Sequence, residues 1–372
     1  MKILFYISHP AQFLFFKNSI RLLKKNDHKL FILIRTKGVL SKLLDEEGLE
    51  YYNILPVERK KNRWGIIKSL VKRELKLFTF LLKYKVDLLI GTDACLAHNG
   101  QLFRIPVITT LEDDYDVIKN LAKITYPFSS HILVPGVCDV GRKWEEKKVA
   151  YSGYMKLAYL HPNWFTPNSL KLNGHNGQPF YLLRLSGLKA HHDFGAQGIC
   201  FTVLDKIISK LSKRGKVYIS SEDELPESYE RHQLKIPVSD MHHYLYYADL
   251  LICDSQSMSV EAAMLGTPSI RVSSFSGRIN VLEELEHTYG LTFGIKPEHT
   301  IKIFKKIDEL LSIDNFKDEF RNRRHKMLKD KIDVTSFLVW FIENYPNSVK
   351  NINMDKYRFI EPKEKLVENY NN

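Results

Sequence analysis

Short apolar runs alternate with segments of helical periodicity along almost the whole chain. Residues 3–7 of the opening Lys2–Ile7 stretch are consecutively apolar or aromatic and predict a buried strand; Phe13, Phe16, Ile20 and Leu23 then recur at helical spacing. The same alternation predicts strands at 29–34, 51–55, 86–90, 106–110 and 132–134, with helices at 39–47, 65–84, 94–103 and 117–124 between them. Strands this apolar, separated by helices and not by hairpin turns, are expected to lie parallel in a sheet covered on both faces. Residues 1–160 thus read as a doubly wound α/β unit. Across 161–178 the periodicity stops, and His161-Pro-Asn-Trp-Phe-Thr-Pro167 and Asn173-Gly-His-Asn-Gly-Gln-Pro179 supply turn chemistry, which marks a linker. The alternation then resumes, with strands at 180–185, 217–220, 250–253 and 269–272 and helices at 201–211, 241–248, 260–265 and 279–286. A second α/β unit is expected over 179–333, ending in helices at 301–311 and 316–328. A helix over 334–345 is placed to cross back to the first unit, and 346–372 is a charged tail.

At 372 residues the chain has room for two domains of about 150 residues each. Lys and Arg number 55 against 43 Asp and Glu, a net charge of +12 that favours anionic partners. Ten of the basic residues fall between 56 and 85 against two Glu, with Trp64, Ile67, Leu70, Val71, Leu75, Phe78 and Leu82 interleaved at helical spacing. A basic amphipathic helix of this kind fits an anionic membrane surface, contacted through 59–85; its apolar stripe fits equally the core face of a sheet-covering helix. No nucleic-acid-binding motif accompanies the charge, so nucleic acid is not an expected partner. Cys95, Cys138, Cys200 and Cys253 form no CxxC pair, which excludes a zinc ribbon or thioredoxin-type site and suits a reducing cytoplasm. No run reaches the ~18 apolar residues of a spanning helix, and the opening strand is too short for a signal peptide. A cytoplasmic protein, peripheral on the inner face of the cell membrane, is the expectation. A G-x-x-x-x-G-K-[ST] loop is absent and no G-x-G-x-x-G follows the first strand, which argues against a kinase or a dehydrogenase.

The most informative chemistry lies between Ala248 and Ile270. An apolar strand ends at Asp254; the small hydroxylated Ser255, Ser257 and Ser259 open a helix that closes at Gly266, and Pro268 leads into another strand. A helix amino end that follows a parallel strand offers unpaired N–H groups and the positive end of the dipole, a ready diphosphate site. Glu261, one to two turns in, stands near enough to accept from a ribose diol. The plainer alternative makes Ser255 or Ser257 a cap and Glu261 a solvated acid.

This segment resembles the nucleotide-binding segment of GT-B glycosyltransferases and of the UDP-N-acetylglucosamine 2-epimerases built on the same fold. Further stretches are similar to the predicted-glycosyltransferase family catalogued as domain of unknown function 354, over roughly residues 1–290. They are Ile7-Ser-His-Pro-Ala-Gln12, Tyr151-Ser-Gly-Tyr-Met-Lys156, Leu183-Arg-Leu-Ser186 with His192-Asp-Phe-Gly195, and Tyr218-Ile-Ser-Ser-Glu222 with Leu234-Lys-Ile-Pro237. The resemblance implies a GT-B fold, two Rossmann-like domains facing a central crevice, with an N-terminal acceptor domain and a C-terminal nucleotide-sugar domain. It also implies that Ser255, Gln256 and Ser257 cradle the donor diphosphate, that Glu261 holds the ribose, and that the backbone around Ile236 reads the base edge. Arg184, Ser186 and Lys189 follow the first strand of the second unit and face the same crevice, where a guanidinium or an ammonium suits phosphate. For Lys189 a plain surface lysine is the alternative, and the adjacent His191 and His192 cannot both point one way, so no metal pair is expected there.

Three loops of the first unit are expected at the same sheet edge. Ser8-His9-Pro10 carries a histidine suited to general-base work near neutral pH, or to capping the next helix. Gly91-Thr92-Asp93 resembles the epimerases' Gly-Asp-Thr loop with its order reversed. Leu111-Glu-Asp-Asp-Tyr-Asp116 sets Glu112, Asp113 and Asp114 beside a strand end, and Glu112 corresponds to a carboxylate the epimerases use in their crevice. Asp114-Tyr-Asp116 has the form of a metal-binding Asp-x-Asp, but in a GT-B layout the helix dipole replaces the ion, so neither metal nor cofactor is expected. The sequence departs from the epimerases where strand one ends in Ser-His-Pro in place of Gly-Thr-Arg-Pro-Glu. It departs again at 184–189, where Arg-Leu-Ser-Gly-Leu-Lys replaces His-Arg-Arg-Glu-Asn. The expected function is transfer of a sugar from a nucleotide-sugar donor, UDP-linked, to a hydroxyl of a saccharide or lipid-linked saccharide in surface-polysaccharide or glycolipid assembly. Inversion at the anomeric carbon is expected by family analogy, with the base among His9, Glu112, Asp113 and Asp114. The alternatives are a nucleotide-sugar 2-epimerase with Asp93 and Glu112 handling protons at C2, and a nucleotide-binding scaffold without turnover.

Overall fold

Every strand ladder among the described residues is parallel, as buried apolar runs joined by helices require. The computed structural model describes residues 1–35, 39–55, 63–172, 177–186 and 198–352. The expectations placed on Lys189, on His191 and His192, on the basic positions 59–61 and on the tail beyond 352 lie outside those residues.

The first sheet contains β1 (Lys2–Ile7), β2 (Lys29–Arg35), β3 (Tyr52–Leu55), β4 (Leu88–Gly91), β5 (Val107–Thr110), β6 (His131–Pro135) and β7 (Lys148–Tyr151). The second contains β8 (Phe180–Leu185), β9 (Lys216–Ser221), β10 (Leu250–Cys253), β11 (Ser269–Val272) and β12 (Thr292–Ile295). Their orders are β3-β2-β1-β4-β5-β6-β7 and β12-β11-β10-β8-β9. Chain direction across each sheet reverses at one place, between β1 and β4 in the first and between β8 and β10 in the second. Loops on either side of such a switch point diverge and leave a crevice at the carboxyl ends of the strands. The loops after β1 and β4, and the helix after β10, therefore occupy the positions where an α/β sheet binds ligands.

Two strands, the one-turn helix Leu157–Leu160 and one helix start escape the sequence pattern. In β7 only Val149 and Tyr151 of Lys148-Val-Ala-Tyr151 are buried, and β12 carries Gly294, so neither edge strand has a continuous apolar run. The helix expected at 260–265 begins at Gln256, because Ser255 accepts from Met258 N at 3.3 Å and caps a first turn whose residues show no apolar period.

The helix Val334–Glu343 packs against Pro10–Lys25, burying Phe337, Leu338, Phe341 and Ile342 on the first sheet's side. Each fully buried phenylalanine contributes roughly 1.5–3 kcal/mol of burial free energy. Ala158 O closes this junction, accepting from Asn18 Nδ2 at 2.9 Å and from Thr335 Oγ1 at 2.6 Å. The helix Val334–Glu343 thus returns to the unit in which the chain began.

Candidate active site

A cavity of about 330 Å3 opens between the two sheets. His9, Thr92, Glu112, Asp113 and Lys156 line it from the first half, and Gln256, Ser257 and Val260 from the helix that follows β10. A slightly larger cavity of about 370 Å3 lies by Gly136, Tyr151, Gly153, Glu284 and Lys331, but its ammonium is already matched by Glu284 at 2.8 Å. Of these two, the first brings a helix amino end opposite a cluster of acids.

Its floor is a buried ion pair. Glu112 Oε1 accepts from Met155 N at 2.8 Å, and Glu112 Oε2 meets Lys156 Nζ at 2.5 Å. Lys156 is buried, and that burial pulls its ammonium pKa down, but the carboxylates of Glu112, Glu261 and Asp113 outweigh it and hold the pKa above the usual lysine value. Glu261 answers from the other half, nearly buried and behind the residues that line the cavity. Burial pushes its carboxyl up, while His242, Tyr159 and Lys156 outweigh the burial and keep it below the usual range. Tyr159 Oη donates to Glu261 Oε1 at 2.7 Å, and His242 Nε2 stands 3.6 Å from the same oxygen.

Asp113 stands exposed at the mouth and hydrogen-bonds to no other described residue. Desolvation between the crevice walls, then the charges of Glu112 and Asp114, raise its carboxyl above the ordinary aspartate value, against the pull of Lys156. His9 caps the helix Pro10–Lys25, its Nδ1 accepting from Ala11 N at 3.2 Å. The ring thus caps the helix and also lines the cavity, so both positions expected of it coincide.

The remaining expected residues divide between the cleft and its scaffolding. Asp93 does not line the cavity; it caps the helix Ala94–Phe103 through Cys95 N at 3.1 Å and pairs with Arg73 Nε at 3.3 Å. Asp114 is buried and clamps the two halves, accepting from Asp139 N at 2.7 Å, from Asn280 N at 2.7 Å and from Asn280 Nδ2 at 2.9 Å. Ser186 ties the end of β8 to the end of β10, donating through N and Oγ to Asp254 Oδ1 at 2.7 and 2.8 Å. Arg184 reaches sideways to Ser220 Oγ at 2.8 Å and Glu222 Oε1 at 2.9 Å. Ile236 is half-buried beside β9, where Leu234 N donates to Ile219 O at 2.8 Å, and it does not line the cavity. Gln256 faces the cleft with its amide held by Arg271 and Ser273, and Ser257 lines the cleft one position on.

Lys156, Tyr159, His242 and Arg271 went unnoticed as site residues. A lone lysine inside Tyr154-Met-Lys-Leu-Ala-Tyr-Leu160 is the only local sign of the first; its partner is 44 positions away.

The model of the family described as "Protein of unknown function (DUF354)" matches residues 1–284. No curated protein matches the sequence. Among solved structures, the S. aureus MnaA–UDP co-structure superposes with a TM-score of 0.69 at 12% identity, covering 95% of this chain and 98% of that one. The UDP-GlcNAc 2-epimerase from Neisseria meningitidis bound to UDP-GlcNAc gives 0.63 at 13% identity, over 92% and 100%. The Streptomyces sp. SF2575 glycosyltransferase SsfS6, complexed with thymidine diphosphate, gives 0.58 at 13% identity, over 92% and 99%. The likeness is one of fold, the GT-B arrangement of two parallel sheets across a crevice.

Removing one member of the floor pair strands the other. Lys156→Met should lower stability by about 3–5 kcal/mol, and adding Glu112→Gln should recover much of that loss. Equilibrium denaturation measures both; a double variant no more stable than Lys156→Met contradicts the pairing.

Proposed function

The chain belongs to the family described as protein of unknown function DUF354, and from that premise and the crevice chemistry we propose that it is a glycosyltransferase using a nucleotide-sugar donor, UDP-linked. The observation that carries the reading is a ten-residue helix whose amino end, at Gln256 and Ser257, faces the acidic loop at Glu112 and Asp113 across one cavity. The donor diphosphate lies on that helix end, where N–H groups lack intrahelical partners. Glu261, one turn beyond Ser257 on the same face, is held as a carboxylate and accepts from the ribose. Asp113, open to the cleft and with a raised pKa, takes the proton of the acceptor hydroxyl. The acceptor oxygen then bonds to the anomeric carbon as the bond to the diphosphate breaks. The electron pair leaves with the diphosphate, stabilised by the helix end, and a single displacement inverts the carbon. Neither a metal ion nor an organic cofactor belongs to this reading.

An epimerase is the second reading, favoured by the fold likeness to UDP-GlcNAc 2-epimerases and by Glu112 in the crevice. The engagement of Asp93 by Arg73 and by a helix cap, away from the cavity, counts against it. Calorimetry should detect UDP binding that falls at least tenfold in Glu261→Ala. UDP-N-acetylglucosamine held in D2O with the protein and no acceptor should gain no deuterium at C2; deuterium there would establish the epimerase instead, and no UDP binding would sink both readings.

The acceptor in this proposal is a saccharide or lipid-linked saccharide met at an anionic membrane surface in polysaccharide or glycolipid assembly. The support is the helix Arg63–Lys83. Ser69, Arg73, Leu77 and Leu81 are buried, while Val71, Leu75 and Leu82 stand 50%, 61% and 65% exposed, among the exposed Lys68, Lys72, Lys76 and Lys83. Of the apolar stripe, which suits either a membrane surface or the core face, Val71, Leu75 and Leu82 face solvent and Leu70 and Phe78 are half-buried, while Leu77 and Leu81 outside it supply the core contact. Exposed leucines bracketed by lysines suit an interfacial contact, each lysine adding about 1 kcal/mol near an anionic leaflet. No helix among the described residues is long and apolar enough to cross a membrane. Vesicles containing phosphatidylglycerol should sediment the protein and phosphatidylcholine vesicles should not; Leu75→Glu with Leu82→Glu should abolish the binding. Equal sedimentation of the double variant would remove this face from the account.

A further inference from the structure

Arg271 on β11 is fully enclosed and lies directly behind the helix that begins at Gln256. Its Nη1 donates to Gln256 Oε1 at 2.5 Å, while Nε and Nη2 have no partner among the described residues. Glu286 is near, and its charge with that of Glu283 favours the charged guanidinium, but it forms no ion pair with Arg271; its Oε2 accepts from Gly294 N at 2.8 Å. Gly294 lies beside both, since a Cβ there would stand 2.8 Å from Arg271 Nη2, 3.2 Å from Glu286 Oε2 and 3.2 Å from Ser276 Oγ. The guanidinium therefore sits in the interior with one hydrogen bond and no carboxylate contact, an arrangement that costs free energy. An aliphatic side chain would fill the same place on β11 without that cost.

What Arg271 accomplishes follows from donor chemistry. A guanidinium only donates, so it forces the Gln256 amide to turn its oxygen inward. The amide nitrogen then donates to Ser273 Oγ at 2.7 Å and keeps a second N–H for the cleft that Gln256 lines. The amide is pinned from two sides, and a buried positive charge stands behind the positive end of the helix dipole.

We infer that Arg271 is a positioning residue for an anionic diphosphate: it fixes the Gln256 amide as a donor and keeps a positive charge in reserve that an anion on the helix amino end compensates. The inference rests on the diphosphate placement proposed above, but it concerns the anion and not the base or ribose. The diphosphate of a nucleotide and free pyrophosphate share this chemistry, and using both as probes separates the two claims.

The test is calorimetry with inorganic pyrophosphate and with UDP on wild type, Arg271→Met, Arg271→Lys and Gln256→Glu, together with the Tm of each ligand-free protein. Arg271→Met and Gln256→Glu should each weaken pyrophosphate binding at least tenfold, and Arg271→Lys should restore part of the loss. Gln256→Glu gives the guanidinium a carboxylate and should raise the ligand-free Tm by about 2 °C or more. Ser257→Glu controls for the benefit of any acid at a helix start and should raise it less. A purely structural arginine predicts the opposite pattern, lower stability in Arg271→Met with unchanged affinity in the folded fraction. Unchanged pyrophosphate affinity in Arg271→Met, no pyrophosphate binding by wild type, or a Gln256→Glu protein no more stable than wild type would each overturn the inference. Pyrophosphate binding that depends on Arg271, with no gain in affinity for UDP, would instead overturn the nucleotide reading and leave this one standing.

Discussion

A single buried ammonium, Lys156, sets the terms for the crevice. It touches Glu112 from the first half and feels the charge of Glu261 from the second. Taking three charged groups out of water is expensive, and the arrangement persists only if their positions are held closely enough for attraction to offset the desolvation. The holding is visible on every side. Met155 N fixes one oxygen of Glu112, Tyr159 and His242 fix Glu261, and the Asp114–Asn280 clamp holds the loop of the one half against the helix start of the other. The floor is thereby ordered before any ligand arrives, which leaves Asp113, the helix amino end and the second carboxylate oxygen of Glu261 to meet one.

The fold supplies this geometry cheaply. Both sheets are parallel, so their carboxyl edges collect loops and helix starts, and both have a switch point where those loops diverge. Ser186 and Asp254 join the loops at the second switch point, and Thr92 Oγ1, donating to Thr110 O at 2.8 Å, joins those after β4 and β5. The return of the last helix onto Pro10–Lys25 anchors both halves to one body. Specific chemistry is then a matter of a few side chains on a generic edge, which is why proteins at 12–13% identity share the arrangement while differing in what they do there.

Much of this was legible in the sequence, for a physical reason. A parallel sheet buried on both faces writes itself as continuous apolar runs, so β1, β8, β10 and β11 could be read to the residue. Of the four edge strands, β3 and β9 carry enough apolar sequence to be read, whereas β7, with only Val149 and Tyr151 buried, and β12, with Gly294, do not. The loop residues His9, Glu112, Asp113, Gln256 and Ser257 were legible as a set because topology alone sends them to one edge. Their individual roles were not. Asp93 and Asp114 looked like their neighbours in composition, yet one caps a helix beside Arg73 and the other bonds to Asn280, 166 positions away. Lys156 and Arg271 were illegible for the same reason, since a lone cation in an apolar stretch carries no sign of the partner that folding will bring to it.

The central claim is that one ligand spans the two halves, its diphosphate on the helix amino end and its reactive carbon toward the acidic loop. A crystal structure grown with UDP tests it directly. The account predicts diphosphate oxygens about 2.7–3.2 Å from the backbone nitrogens at Gln256 and Ser257, with the Lys156–Glu112 pair intact beneath them. A nucleotide lodged instead beside Gly136 and Lys331, or held without contact to that helix end, would contradict it.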